Sequence, residues 1–315
     1  MAALRRALLV GINAYENFGA LGGCLNDVDA LERVLARHED ENPNFACQKL
    51  VNASRDALTS ATRTLLAPGA DLALFYFAGH GAPLNGDVSV CTRDGTNDTP
   101  GVSLSTILGQ IAGSSVREVI IVLDCCFSGA AGAVPQLGGE QAVLRQGVSI
   151  LAASRGDQTS AEQADRGVFS TYFEAALNGG AADVLGKVTV ASVYAYLSEL
   201  FGAWDQRPTF KSNVDRLHEL RHCKPAVPLE ELRRLPEFFP QFNDEHPLDP
   251  SYEWTMEMGN REHETIFAIL QRCRAAKLVE PVGHEHLYWA ALESRSCRLT
   301  PLGHHYWRLA SLDRL

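Results

Sequence analysis

Apolar runs long enough to cross a membrane are missing from this 315-residue sequence. The first run, Ala7 to Val10 behind Arg5 and Arg6, stops at Gly11-Ile12-Asn13. A membrane helix needs about 20 apolar residues, and a secretory core also needs more than this. The run reads as a buried strand, and no membrane is expected among the partners. Positive charge is also short: 28 Lys and Arg against 38 Asp and Glu leave a net charge of −10. That sign opposes contact with phosphate backbones and excludes a general nucleic-acid binder, whereas a basic ligand or a protein partner fits it. The eight cysteines lack the regular spacing of a disulfide framework. In the last third, Cys273, Cys297 and the histidines include no Cys-x-x-Cys pair of the kind a zinc site uses. They read as reduced thiols, which points to a cytoplasmic location. No internal repeat and no Gly-rich phosphate loop is present.

The first two-thirds alternates short apolar runs with helical patterns. Ala7 to Ile12, Cys47 to Val51, Asp71 to Phe77, Val116 to Leu123 and Val148 to Ala152 are aliphatic or aromatic, bounded by Gly, Asp, Asn or Ser, and read as strands buried on both faces. Between them, Asn26 to Ala36, Ala57 to Leu66, Leu104 to Ala112, Phe169 to Leu177 and Val190 to Phe201 read as helices, with Asn26, Ser103 and Thr189 as N-caps. The expected fold class is α/β, a doubly wound, mostly parallel sheet flanked by helices. In such sheets the site lies outside the carboxyl ends of the strands.

Gly129 to about Gly147 is rich in Gly and Ala and reads as a long mobile loop beside that site. After Lys224-Pro225-Ala226-Val227-Pro228 the alternation stops. The expected division is residues 1–222, a linker and connecting segment over 223–260, and a small domain over 261–315. In the small domain Glu264 to Lys277 reads as a helix, Leu287 to Leu292 as a strand and the segment from Leu299 as a closing helix, which suggests a winged helix. From residue 225 onward there are 10 Lys and Arg against 14 Asp and Glu, so this unit is read as a protein-docking or regulatory module and not a DNA reader.

Two segments place reactive side chains just past buried strands: Phe75-Tyr-Phe-Ala-Gly-His80-Gly81 and Val122-Leu-Asp124-Cys125-Cys126-Phe127-Ser128-Gly129. A cysteine and a histidine on neighbouring strand ends converge in space, as an activated thiol requires. Both thiols cannot face His80 from regular strand geometry, because successive side chains alternate. A bulge or turn there would change which one does.

The His-Gly pair after an aromatic strand, followed 46 residues later (126 − 80) by Asp-x-Cys-x-Ser-Gly, resembles the caspases, metacaspases and orthocaspases. The resemblance extends to Leu8-Leu-Val-Gly-Ile-Asn-Ala-Tyr15, Gly23-Cys-Leu-Asn-Asp27, Ala153-Ser-Arg-Gly-Asp157-Gln-Thr-Ser, Gly167-Val-Phe-Ser-Thr-Tyr-Phe and Gln206-Arg-Pro-Thr-Phe210, over about residues 5–213. It implies the caspase-hemoglobinase-like fold and a cysteine endopeptidase with Cys126 as nucleophile, Cys125 as bystander and His80 as base, working through a thioester. Gly81 and the Cys126 amide are the expected oxyanion donors, since glycine allows close backbone approach.

Aspartate-selective relatives carry an arginine immediately after the nucleophile; this sequence has Phe127. The metacaspase resemblance instead makes Asp27, Asp124 and Asp157 walls of a substrate pocket, which favours protein substrates with Arg, or less readily Lys, before the scissile bond. Each of the three also has a plain alternative as a helix-cap or turn residue. Arg145 becomes an expected self-processing site. The acidic run of calcium-dependent relatives is absent, so no metal or other cofactor is expected. The resemblance further implies a regulated protease of bacterial defence or cell death, with an activator or docking protein on the C-terminal unit. A catalytically silent caspase-like scaffold is the competing reading.

Overall fold

The computed structural model describes residues 4–84, 86–127, 144–153, 162–163, 165–201, 208–254 and 260–315. Two compact units divide the chain, one of residues 1–182 with 187–223, the other of 183–186 with 224–315.

The first unit is built on β1 (Arg5–Gly11), α1 (Cys24–Leu35), β2 (Ala46–Val51), α2 (Arg55–Leu65), β3 (Leu72–Leu84), β4 (Asp87–Cys91), β5 (Gly101–Ser103) and α3 (Leu104–Ala112). It continues through β6 (Glu118–Phe127), β7 (Val148–Ala152), the short β8 (Glu162–Gln163) and β9 (Arg166–Gly167), α4 (Val168–Ala175), β10 (Lys187–Thr189), α5 (Val190–Leu200), β11 (Thr209–Asn213) and β12 (Glu219–His222). The sheet order is β11-β7-β6-β3-β1-β2. Neighbours in this order run parallel except the edge strand β11, antiparallel to β7; off this path β4 pairs antiparallel with β3 and β5 antiparallel with β4.

Strand alternation divides the apolar side chains between two cores. Leu8, Val10, Phe75, Phe77, Ile121 and Leu123 pack with α2 and α3 through Leu58, Leu65, Ile107 and Ile111. Leu9, Tyr76 and Val122 pack on the other side with Val28 and Leu31 of α1, Phe169 and Phe173 of α4 and Val193 and Leu197 of α5. Helices therefore cover both faces, which is why the strands read as continuous apolar runs. The strands carrying the two reactive segments, β3 and β6, are central neighbours.

Helix starts follow local chemistry. The Ser103 hydroxyl accepts from Thr106 N–H, and Thr189 with Ser192 forms a reciprocal capping box. Asn26 does not cap α1 as expected; the helix begins two residues earlier. Asn13, just past β1, supplies the acceptor instead: its Oδ1 takes the Cys24 N–H at 3.0 Å while its Nδ2 donates to Gly22 O. An orphan N–H of the first turn is thus satisfied from the end of the adjacent strand.

The second unit holds α6 (Leu229–Leu232), α7 (Leu235–Phe238), β13 (Glu245–Pro247), α8 (Arg261–Ala275), β14 (Val279–Val282), α9 (Leu287–Leu292), β15 (Ser296–Leu299) and α10 (Pro301–Ser311), with an antiparallel sheet in the order β13-β15-β14. Two expectations are corrected here. Residues 223–260 are not a bare linker, because Val227, Leu232, Leu235, Phe239 and Leu248 are buried in one core with Leu270 and Cys297. Leu287 to Leu292 is a helix and not a strand. Leu287, Ala290 and Ala291 are buried at helical spacing, while Tyr288 and Trp289 between them are 37% and 47% exposed. No helix among the described residues is long and apolar enough to cross a membrane.

Candidate active site

The 13-residue strand β3 runs past the end of β1, which stops at Gly11 beside Ala78, and carries His80 and Gly81 out of the fully buried part of the sheet. Its register with β6 sets Ala78 beside Asp124, Gly79 beside Cys125, His80 beside Cys126 and Gly81 beside Phe127. Adjacent strands lie about 4.8 Å apart, so the backbones of His80 and Cys126 are direct neighbours. Cys125 is 3% exposed and packs in the core with α2 and α3. Gly81 continues into pairing with Val90 of β4.

His80 is held by three contacts. Its backbone N–H donates to the Tyr15 hydroxyl at 2.8 Å. The Tyr15 ring lies 4.8 Å from the imidazole, with Phe18 at 6.4 Å. The imidazole Nε2 is 2.8 Å from the Gly19 carbonyl oxygen. A carbonyl only accepts, so Nε2 carries the proton, and in the neutral ring Nδ1 is left as the acceptor. Gly79 makes this approach possible, since a Cβ there would lie 2.6 Å from the Tyr15 oxygen and 2.8 Å from Phe77 Cζ. Burial raises the Tyr15 hydroxyl far above its ordinary pKa, so it remains an intact O–H.

These contacts make Tyr15 a positioning residue. Tyr15→Phe keeps the ring and removes the acceptor, a loss of about 1 kcal/mol. With His80 as the expected base, kcat on a peptide should fall about fivefold with KM little changed, as steady-state kinetics will read. An unchanged kcat would show that the hydroxyl does not orient His80.

The acidic side chains converge on Gly167. Asp27, 2% exposed, accepts from Arg166 Nε at 2.9 Å and from the Gly167 N–H at 3.0 Å. Asp124 accepts from the Ser170 hydroxyl, and that oxygen lies 2.5 Å from the hydroxyl of fully buried Tyr76. With Ser170 donating to the carboxylate, Tyr76 donates to Ser170. A Cβ on Gly167 would lie 2.8 Å from Asp124 Oδ2 and 3.1 Å from Asp27 Oδ2, so both carboxylates border the same backbone position. Burial pushes the Asp27 carboxyl up from 3.8 to about 6; Arg166 and the Gly167 N–H pull it down, and Asp124 adds to the rise.

Two sequence-derived positions stand differently. Asp157 lies outside the described residues. Arg145, the expected self-processing site, is half-buried, and its guanidinium donates from Nη1 to Ser114 O at 3.0 Å and from Nη2 to Val116 O at 2.7 Å. Both carbonyls belong to the connection from α3 to β6. Cleavage after Arg145 would first release these two bonds. Tyr15, the Gly19 carbonyl, Arg166 and Glu174 were not singled out by sequence reasoning. Tyr15 did fall inside a quoted motif, whereas Arg166 sits just outside one and gave no signal.

A doubly wound sheet with a histidine and a cysteine at the carboxyl ends of adjacent central strands is the arrangement expected of a caspase-like cysteine peptidase. The caspase-domain family profile matches residues 4–218, and the chain belongs to that family. It is 26% identical over 312 residues to metacaspase-1 of Mycosarcoma maydis, covering 79% of this chain and 72% of that one. It is 28% identical over 217 residues to metacaspase-2 of Trypanosoma brucei brucei, covering 56% and 61%. It is 26% identical over 208 residues to metacaspase-1 of Botryotinia fuckeliana, covering 58% and 46%, so it spans about half the length of that relative. A crystal structure of a Geobacter sulfurreducens protein shares the fold, with a TM-score of 0.51 and 18% identity over 68% of this chain and 94% of that one.

Proposed function

We propose that this chain is an endopeptidase that cuts proteins after Arg in preference to Lys, with Cys126 as nucleophile and His80 as base, and that it acts as a regulated protease of a defence or cell-death pathway. The observation that carries the reading is the register of His80 with Cys126, together with the Nε2 contact to Gly19 that leaves Nδ1 to accept a proton. In this mechanism Nδ1 takes the thiol proton and the thiolate attacks the peptide carbonyl. The Gly81 and Cys126 N–H groups receive the oxyanion, the imidazolium protonates the leaving amine, and water cleaves the thioester. Each oxyanion donor contributes roughly 100-fold or more.

Basic specificity is supported by the two carboxylates bordering Gly167, which suit a guanidinium fork better than a point ammonium. Asp157 remains a proposed third wall. The unit of residues 224–315 is proposed to dock an activator or partner protein. Fluorogenic peptides ending in Arg, Lys or Asp test the specificity; turnover of Arg over Lys is expected, and turnover of Asp would overturn the pocket.

A pH dependence follows from Asp27. Its ionisation near pH 6 strengthens cation binding, so kcat/KM for an Arg peptide is expected to rise with pH through about 6, and that component should vanish in Asp27→Asn. Stability runs the other way. Between pH 3.8 and about 6 the folded state keeps a proton that the unfolded chain has released. This contribution is fully present below 3.8 and lost as pH rises through about 6. Urea midpoints measured across that window should therefore be flatter for Asp27→Asn than for the wild type.

A further inference from the structure

The cation pocket assigned above already contains a guanidinium. Arg166 Nε donates to Asp27 Oδ1 at 2.9 Å, and Nη1 donates to Glu174 Oε2 at 2.5 Å. The third nitrogen, Nη2, is buried and makes no hydrogen bond among the described residues. We propose that Arg166 is an internal competitor for the pocket, occupying Asp27 until the basic side chain of a substrate takes its place, and that it thereby sets how strongly the site binds Arg or Lys. This inference rests on the proposed basic specificity and deepens it.

Three features favour displacement over a permanent structural pair. Arg166 meets Asp27 through a single N–H, because the other carboxylate oxygen is taken by the Gly167 backbone. A guanidinium held to Asp27 through one N–H is weaker than one paired twice, and an incoming arginine can pair with both Asp27 and Asp124, which border the same Gly167 position. Nη2, without a partner among the described residues, adds a cost to the resting arrangement, since a buried donor left unpaired has lost its hydration. Arg166 also stands on a hairpin of two-residue strands, β8 and β9, whose turn includes Asp165 at φ +62°, an unfavourable angle for a side-chain-bearing residue. Among the described residues the hairpin is tied down by the contacts of Arg166, by the Gly167 N–H bond to Asp27, by the Thr171 hydroxyl on the Gly167 carbonyl and by an Asn26 Nδ2 bond to the Asp165 carbonyl.

Charge gives the same direction. Asp27, Asp124 and Glu174 bring three carboxylates to this corner, and Arg166 neutralises one of them from inside. Removing its charge leaves a more negative pocket with Asp27 available to a ligand. Replacing it with lysine keeps a competitor of the same sign.

Calorimetric titration of agmatine, a decarboxylated arginine, into the full chain carrying Cys126→Ala reads pocket occupancy without turnover. Adding Arg166→Gln is expected to tighten binding at least about tenfold, and Arg166→Lys should return it to near the parent value. Equal or weaker binding in Arg166→Gln would overturn the proposal. Arg166→Met, which keeps the packing of the stem, carries the same expectation if the glutamine variant does not fold. Failure of both to fold would make Arg166 a structural arginine and overturn the proposal too. Failure of basic specificity itself reads differently: agmatine would bind none of the variants, and wild-type enzyme would not turn over Arg peptides.

Discussion

Replacing Cys126 with Ala is expected to lower kcat/KM on an Arg peptide by about 10⁴-fold or more, whereas Cys125→Ala should leave it within a few fold. The adjacent thiols have different surroundings. Cys125 is sealed in the apolar core behind the sheet with Phe75, Phe77 and Leu123, where a thiolate has no solvation. Its loss costs about 1 kcal/mol of packing, visible in thermal melting, and little catalysis. Residue 126 is the one in register with His80. His80→Ala should resemble Cys126→Ala in rate, since the thiol then lacks its base. Equal losses from the two cysteine variants would mean that the end of β6 twists away from regular alternation.

The second large effect is expected at Asp124. Its carboxylate is held in place by Ser170, itself supported by Tyr76, so Asp124→Asn keeps the shape and the Ser170 contact while removing the charge. Taking one partner from a largely desolvated ion pair costs about 3 to 5 kcal/mol, which for an Arg peptide is roughly 100-fold or more in kcat/KM. A peptide ending in citrulline, which is neutral and similar in shape, should lose far less. Equal loss on both peptides would assign Asp124 to the architecture of the strand end and not to substrate recognition.

The strand ends that carry these residues were legible in the sequence because each follows an unbroken apolar run. The runs through Phe75-Tyr76-Phe77 and Val119 to Leu123 are buried on both faces, so composition alone marks where the strands end and where reactive residues become accessible. The expectation that Asp27 lines a pocket came from a motif, and in the structure Asp27 and Asp124 both border Gly167. Other features depend on contacts distant in sequence. Arg145 follows a Gly- and Ala-rich stretch that suggests mobility, yet two carbonyls about 30 residues away clamp it. Arg166 acquires meaning only when the hairpin folds onto Asp27, 139 residues away. Leu287-Tyr-Trp-Ala-Ala-Leu292 is too short for its period to be read securely, and aromatic content argued for a strand where burial of Leu287, Ala290 and Ala291 selects a helix. The linker reading failed for a similar reason: proline and charge dominate residues 224–254, while the few apolar residues there are the ones that close the second core.

In the proposed mechanism one cysteine, armed by His80, attacks a carbonyl presented by a basic residue. An arginine chloromethyl ketone tests it in one step, because it alkylates the thiol only when its side chain is seated in the pocket. Peptide mapping by mass spectrometry should place the adduct on Cys126, with labelling suppressed in His80→Ala and in Asp124→Asn. An adduct on Cys125, or labelling by the aspartyl analogue in its place, would contradict the account.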